Sequence, residues 1–104
     1  MRTIRDYSGR IVRLTEERFA HIREHPEMEG LEDAIDTAVE NPLTVIRSRS
    51  DSDVELYYDY VYTMYFDDKY LCVVVKTVAE DSFVITAYLT DKVKKGDVIW
   101  ERNS

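Results

Sequence analysis

The second half of the chain carries four runs of β-branched and aromatic residues separated by short acidic segments, and this pattern restricts the folds open to it. The runs read LTVIRSRS, VELYYDYVYTMYF, KYLCVVVKTVA and SFVITAYL. Short strands divided by turn-forming residues are typical of an antiparallel meander, in which each strand pairs with the next one along the chain. We therefore expect a four-stranded antiparallel sheet, to which the segment DKVKKGDVIW adds a tail with a short edge strand.

Two helices are predicted ahead of this sheet. The first spans residues 16–25, because Thr15 can cap it and Pro26 disfavours helical geometry in the residue before it. The second spans residues 31–40, where apolar residues recur at helical spacing and acids take the opposite side.

The segment TIRDYSGRIVRL alternates around Ser8-Gly9 and predicts a β-hairpin at the N-terminus. At 104 residues the chain is long enough for one domain with one core, which we expect over residues 1–104. Its predicted parts are the hairpin (1–14), the two helices (15–42) and the β-meander (43–101). The fold class is α+β, with two N-terminal helices packed on a four-stranded antiparallel sheet and an N-terminal β-hairpin.

Composition narrows the cellular setting. The single cysteine, Cys72, lies in an apolar run, so neither an internal disulfide nor a zinc cluster is expected. Residues 1–15 carry four arginines instead of an apolar leader, and no apolar run approaches the ~20 residues of a membrane span. We expect a cytoplasmic protein with no membrane partner and no cofactor.

The net charge of −7 argues against nucleic-acid binding by the surface as a whole. The charges are, however, unevenly distributed. Residues 1–23 carry six arginines against three acids, whereas residues 24–41 carry seven acids and neither lysine nor arginine. A compact basic set, Lys92, Lys94 and Lys95, lies near the C-terminus. A local basic patch on an acidic protein is therefore compatible with the sequence, and no DNA partner is indicated.

Turn lengths give a predicted register for the sheet. A two-residue loop at Asp67-Asp68 and a three-residue loop at residues 80–82 place Lys76 opposite both Asp59 and Thr86. One face then collects apolar residues suited to helix packing: Leu71, Val73, Val75, Phe83, Ile85, Ala87 and Leu89. The other face collects polar and aromatic residues that could form a site: Asp59, Lys76, Thr86 and Tyr88.

The only two histidines, His21 and His25, are four residues apart on the first predicted helix. This spacing suits a metal pair, but HIREH lacks the third ligand and the internal base of H-E-x-x-H, so no metal site is expected. His25 alternatively stabilises the end of the helix. His21 borders the buried stripe, where it either packs at the rim of the core or transfers protons near neutral pH.

Two further features each allow two interpretations. Lys76 ends an otherwise apolar strand, where it forms either a structural ion pair with Asp59 or, with Thr86, a phosphate site. The run YYDYVY offers either tyrosine rings for base stacking or a half-buried strand with its hydroxyls in water.

Three segments resemble a known family. RLTEERFAHIREHPEM, a helix ending in ENP, and VVVKTVAEDSFVITAYLTDKVKKG are similar to the phage- and polymorphic-toxin-associated nuclease-like domains of the barnase, EndoU, colicin E5/D and RelE superfold. The similarity covers residues 11–96, with HIxxHPEM and FVITAYLT as the best-matching pieces.

The resemblance implies a metal-independent ribonuclease, in which a base deprotonates the ribose 2′-OH for attack on the adjacent phosphate. The implied catalytic residues are a general base or acid, a phosphate-binding cation and two hydroxyl donors: His21, Lys76, Thr86 and Tyr88. Three further residues are expected to contact the substrate: His25, Arg23 and Asp59.

Two hypotheses follow for function. In the first, the chain is a small ribonuclease of toxin or phage origin, with RNA as substrate and an antitoxin or another protein as partner. In the second, it is a non-catalytic module that binds a protein through the tyrosine-rich strand or the acidic helix around Glu32, Asp33 and Asp36.

Overall fold

The computed structural model describes residues 1–61 and 69–103. The elements in this part of the chain are, in order, β1 (Arg2–Arg5), β2 (Ile11–Leu14), α1 (Glu16–Arg23), a 3-10 turn (Pro26–Met28), α2 (Glu32–Glu40), β3 (Thr44–Arg47), β4 (Val54–Val61), β5 (Lys69–Val78), β6 (Asp81–Thr90) and β7 (Asp97–Glu101). No helix among the described residues is long and apolar enough to cross a membrane.

The strands form one seven-stranded mixed sheet in the order β1-β2-β6-β5-β4-β3-β7. Strands β3 to β6 pair antiparallel with their neighbours in the chain. The predicted four-stranded antiparallel sheet is nevertheless wrong, because β2 pairs in parallel with β6 and β7 pairs with β3. The parallel pair joins Val12 to Ser82. Such a contact between distant segments leaves no trace in local alternation.

Local signals position the two helices well. The Thr15 side chain accepts a hydrogen bond from the Arg18 backbone N–H at 3.2 Å, which confirms the predicted cap. Helix α1 ends at Arg23, two residues before the predicted end, and Pro26 begins a separate 3-10 turn. The hairpin turn is longer than the two residues that Ser8-Gly9 indicated, since β1 ends at Arg5 and β2 begins at Ile11.

The main core lies between the helices and one face of the sheet, which we call the helix face. Ile22 of α1 and Ile35 of α2 pack there against Leu71, Val73 and Ala87 of the central strands. The opposite face carries a smaller cluster of four buried residues: Ile46, Leu56, Tyr58 and Cys72. Val93, in the segment 91–96, packs against this second cluster, so that segment crosses the sheet as a strap.

The observed register corrects the predicted one. Lys76 lies opposite Val54, not Asp59, and Asp59 lies opposite Leu71. The predicted loop at Asp67-Asp68 lies outside the described residues. The next turn, between Val78 and Asp81, has two residues instead of three.

An irregularity in β6 changes the register again. Thr86 pairs with Val74, whereas Val84 pairs with the next residue, Val75, which leaves Ile85 as an extra residue. Val84 thereby takes the core position on the helix face that the alternation assigned to Phe83 and Ile85.

Candidate active site

The two histidines lie together where α1 ends. Their ring centroids are 5.8 Å apart. His25 follows the helix in an extended conformation (φ −81°, ψ 112°), which Pro26 favours in the residue before it. The 3-10 turn then anchors the segment, because Met28 is buried in the core.

Each histidine faces a glutamate through Nδ1. The distance from His21 Nδ1 to Glu24 Oε2 is 3.5 Å, and that from His25 Nδ1 to Glu27 Oε1 is 3.6 Å. A carboxylate beside Nδ1 orients the ring and leaves Nε2 for proton exchange. The pair is therefore equipped for acid–base chemistry.

A cavity of about 210 Å³ adjoins Glu27, the partner of His25, and we call it the histidine pocket, although neither histidine lines it. Its lining residues come from the 3-10 turn and from the adjoining ends of β5 and β6: Glu27, Lys69, Leu89, Thr90 and Asp91. Lys69 Nζ forms an ion pair with Asp91 Oδ1. The Thr90 hydroxyl accepts from the Lys92 N–H at 3.3 Å, which holds the turn that carries Asp91.

The pocket itself offers carboxylate and ammonium groups, and the His25 imidazole is 3.6 Å from its Glu27 carboxylate. Two histidines can take and give a proton on opposite sides of a reacting group, and a lysine can neutralise negative charge that develops there. Among residues 1–61 and 69–103, no set of three His, Cys, Asp or Glu side chains is arranged to hold a metal ion.

Lys76, one of the predicted catalytic residues, does not lie in this pocket. It is seven residues along β5 from Lys69, which is about 23 Å in an extended strand. Its ammonium forms an ion pair with Asp51 Oδ2 at 3.4 Å.

Thr86 and Tyr88 lie on the same sheet face as Lys76, opposite the helix face that α1 and its histidines cover. The Thr86 hydroxyl is buried and has no hydrogen-bond partner among the described residues. The Tyr88 hydroxyl forms a hydrogen bond with the Cys72 sulfur, and Tyr88 also lines a neighbouring groove.

The predicted substrate-binding residues are also separated. Arg23 is close to the histidines in the chain, and its guanidinium lies over the Phe19 ring at 5.6 Å. Asp59 shares the helix face with Tyr57, and its carboxylate is 3.8 Å from Arg102. The structure therefore brings His21 and His25 together and places Lys76, Thr86 and Tyr88 on the opposite face of the sheet.

Sequence reasoning missed Lys69, Asp91 and Glu27. The pairing of Tyr70 with Thr90 brings Lys69 beside Asp91, so a correct register would have found both. Glu27 reaches the pocket because the 3-10 turn packs on β6, a contact between segments distant in sequence.

Comparison with known proteins agrees with a nuclease-like fold. Searches of curated proteins and of solved structures find no significant match. A family model described as phage-Barnase-EndoU-ColicinE5/D-RelE like nuclease2 matches residues 1–101, which is nearly the whole chain. The chain therefore belongs to this family of nuclease-like domains.

Proposed function

We propose that the chain is a metal-independent endoribonuclease whose active site is the histidine pocket. The observation that carries this proposal is a chain of contacts: His25 lies beside His21 and is 3.6 Å from Glu27, and Glu27 lines one cavity together with Lys69 and Asp91. Membership of a nuclease-like family makes RNA cleavage the natural chemistry to test there.

In the proposed reaction, His25 takes the proton from the ribose 2′-OH, because it is the histidine paired with a pocket-lining residue, Glu27. The 2′ oxygen then forms a bond to phosphorus and the bond from phosphorus to the 5′ oxygen breaks. His21 donates a proton to that leaving oxygen. The products are a 2′,3′-cyclic phosphate and a 5′-hydroxyl end.

Lys69 stabilises the charge that develops on the phosphoryl oxygens. Its pairing with Asp91 holds the ammonium at the pocket wall. A fixed cation costs little reorganisation when the charge forms, which is the basis of electrostatic catalysis. In this proposal Lys69 is the phosphate-binding cation, in place of Lys76, for which the family resemblance implied that role.

The test is cleavage of RNA in excess EDTA, with the ends identified by mass spectrometry. We expect cyclic phosphate ends, and losses of roughly 10²-fold to 10⁴-fold in kcat for His21→Ala and His25→Ala, as for other general acids and bases. Lys69→Ala should also lose activity.

Lys76→Ala is the matched control, since it removes a lysine from the same strand outside the pocket. It should retain turnover. No cleavage of any RNA by the folded wild-type chain, or full activity in His25→Ala, would contradict the proposal and favour a non-catalytic binding module.

A further inference from the structure

A second concave surface lies on the sheet face opposite the helices, and we call it the strap groove. Its volume is about 470 Å³. Residues from the turn after β3, from the sheet and from the strap line it: Ser48, Arg49, Ser50, Asp51, Val54, Leu56, Val74, Tyr88, Lys94 and Lys95. The catalytic chemistry proposed above uses none of them.

The strap is held in a defined position. Val93 packs against the cluster around Tyr58 and Cys72, and the Lys94 backbone N–H donates to the Tyr58 hydroxyl at 3.1 Å. Gly96 lies so close to β3 that an added Cβ would be 2.5 Å from Ile46 Cγ2 and 2.6 Å from the Arg47 carbonyl oxygen. Lys94 and Lys95 therefore project from a fixed backbone.

The groove combines cationic rims with an apolar floor. Three exposed cations of the lining, Arg49, Lys94 and Lys95, form no ion pair with any described residue, whereas the lining acid, Asp51, is paired with Lys76. The floor of the groove is built from aliphatic side chains and Tyr88. Phosphates suit the rims, and an unstacked base or ribose suits the floor.

We propose that the strap groove binds a single-stranded segment of RNA, as a second site apart from the histidine pocket. The choice of RNA rests on the proposed function, whereas the preference for an unpaired strand follows from the floor, which stacked duplex bases cannot reach. An acidic peptide would pair with the cations at the rims but would leave the apolar floor uncovered. Binding through phosphates should weaken as salt rises.

The test measures binding without cleavage. A fluorescein-labelled 2′-O-methyl oligouridylate of about ten nucleotides, within the range of single-strand site sizes, lacks the attacking hydroxyl. We expect its affinity in fluorescence anisotropy to fall at least tenfold in Arg49→Glu and in the double variant Lys94→Glu/Lys95→Glu. The slope of log K against log salt should become shallower by about 0.7 per cation removed.

Lys92→Glu is the matched control, because Lys92 is an exposed lysine on the same strap that does not line the groove. It should change the affinity less than threefold. Equal losses in the control, or none in the groove variants, would overturn the proposal. Equally effective competition by duplex RNA or by oligoglutamate would overturn the single-strand assignment.

The two proposals fail in different ways. If the chain binds the oligouridylate through the groove but cleaves no RNA, the assignment of the histidine pocket as an active site is wrong, and the assignment of the strap groove as an RNA-binding site is supported. If it cleaves RNA with equal KM in wild type and groove variants, the assignment of the strap groove as an RNA-binding site is wrong. A raised KM with unchanged kcat in the groove variants supports both.

Discussion

At the scale of single residues, Asp6 ties the N-terminal hairpin to the sheet. Its carboxylate accepts hydrogen bonds from the Ser8 and Arg10 backbone N–H groups at 2.9 Å and from the Tyr57 hydroxyl at 2.6 Å. Arg10 extends the network, because it donates to Glu55 Oε1 at 2.6 Å. A turn of the hairpin is thereby bound to the middle of β4.

These contacts make a prediction for stability against pH. Burial raises the pKa of Asp6, but the hydrogen bonds from Tyr57, Ser8 and Arg10 outweigh it and hold the pKa below its ordinary value. A lowered folded-state pKa stabilises the fold above the unfolded-state pKa of about 3.9, and that contribution disappears as the pH falls through the folded-state pKa.

Asp6→Asn should therefore lower the free energy of unfolding by about 2 kcal/mol at pH 7, the scale of hydrogen bonds to a charged group. The difference from wild type should shrink as the pH falls below 4, because the wild-type carboxyl protonates. Urea denaturation at a series of pH values measures this. Asp33→Asn, at an exposed acid of α2, should change little, and a pH-independent deficit in Asp6→Asn would disprove the assignment.

At the scale of elements, the tight turn from β5 to β6 sets which residues meet across these strands. It contains Ala79 with φ 56°, in the left-handed region that favours glycine. The turn and the extra residue Ile85 together determine the register between Lys69 and Thr90, and hence the composition of the histidine pocket.

Ala79→Gly should raise the free energy of unfolding by roughly 0.5 to 1 kcal/mol, because glycine adopts this backbone conformation without strain. Ala20→Gly is the opposite control, since Ala20 is an exposed residue inside α1. It should destabilise by about 1 kcal/mol. Urea midpoints compare the two, and a loss of stability in both would show that the turn is not strained.

Prediction from sequence succeeded where the signal was local. Thr15 and Pro26 marked the limits of α1 because capping and proline geometry act within a few residues. His21 and His25 were rightly singled out as neighbours for the same reason. The predicted pairing of Lys76 with Thr86 was wrong because one turn and one bulge shifted the register, and neither has a strong sequence signature.

At the scale of the whole molecule, the hairpin and the last strand complete the sheet from its two sides. The Tyr7 ring stacks on Trp100 of β7, with centroids 4.8 Å apart. Tyr7 belongs to the turn of the hairpin, and its backbone N–H donates to the Val39 carbonyl at 3.2 Å. The hairpin turn therefore contacts both α2 and the edge strand.

Because the hairpin turn contacts both α2 and β7, we expect a single cooperative unfolding transition. Trp100 is the only tryptophan and reports contact with the hairpin, whereas far-ultraviolet circular dichroism reports the helices and sheet. Urea curves from the two signals should coincide, as in a two-state protein. Detachment of the hairpin before the sheet unfolds would instead shift the fluorescence midpoint to lower urea.

The sequence by itself determined the local elements: two helices, the first with its Thr15 cap, strands of alternating or apolar character, and a histidine pair at the end of α1. These follow from contacts within a few residues, where propensity and spacing act directly. The tertiary structure alone decided that β2 lies parallel to β6 and that Lys69 lines one cavity together with Glu27 and Asp91. Those outcomes depend on packing and register between distant segments, where a shift of one residue exchanges the faces of a strand.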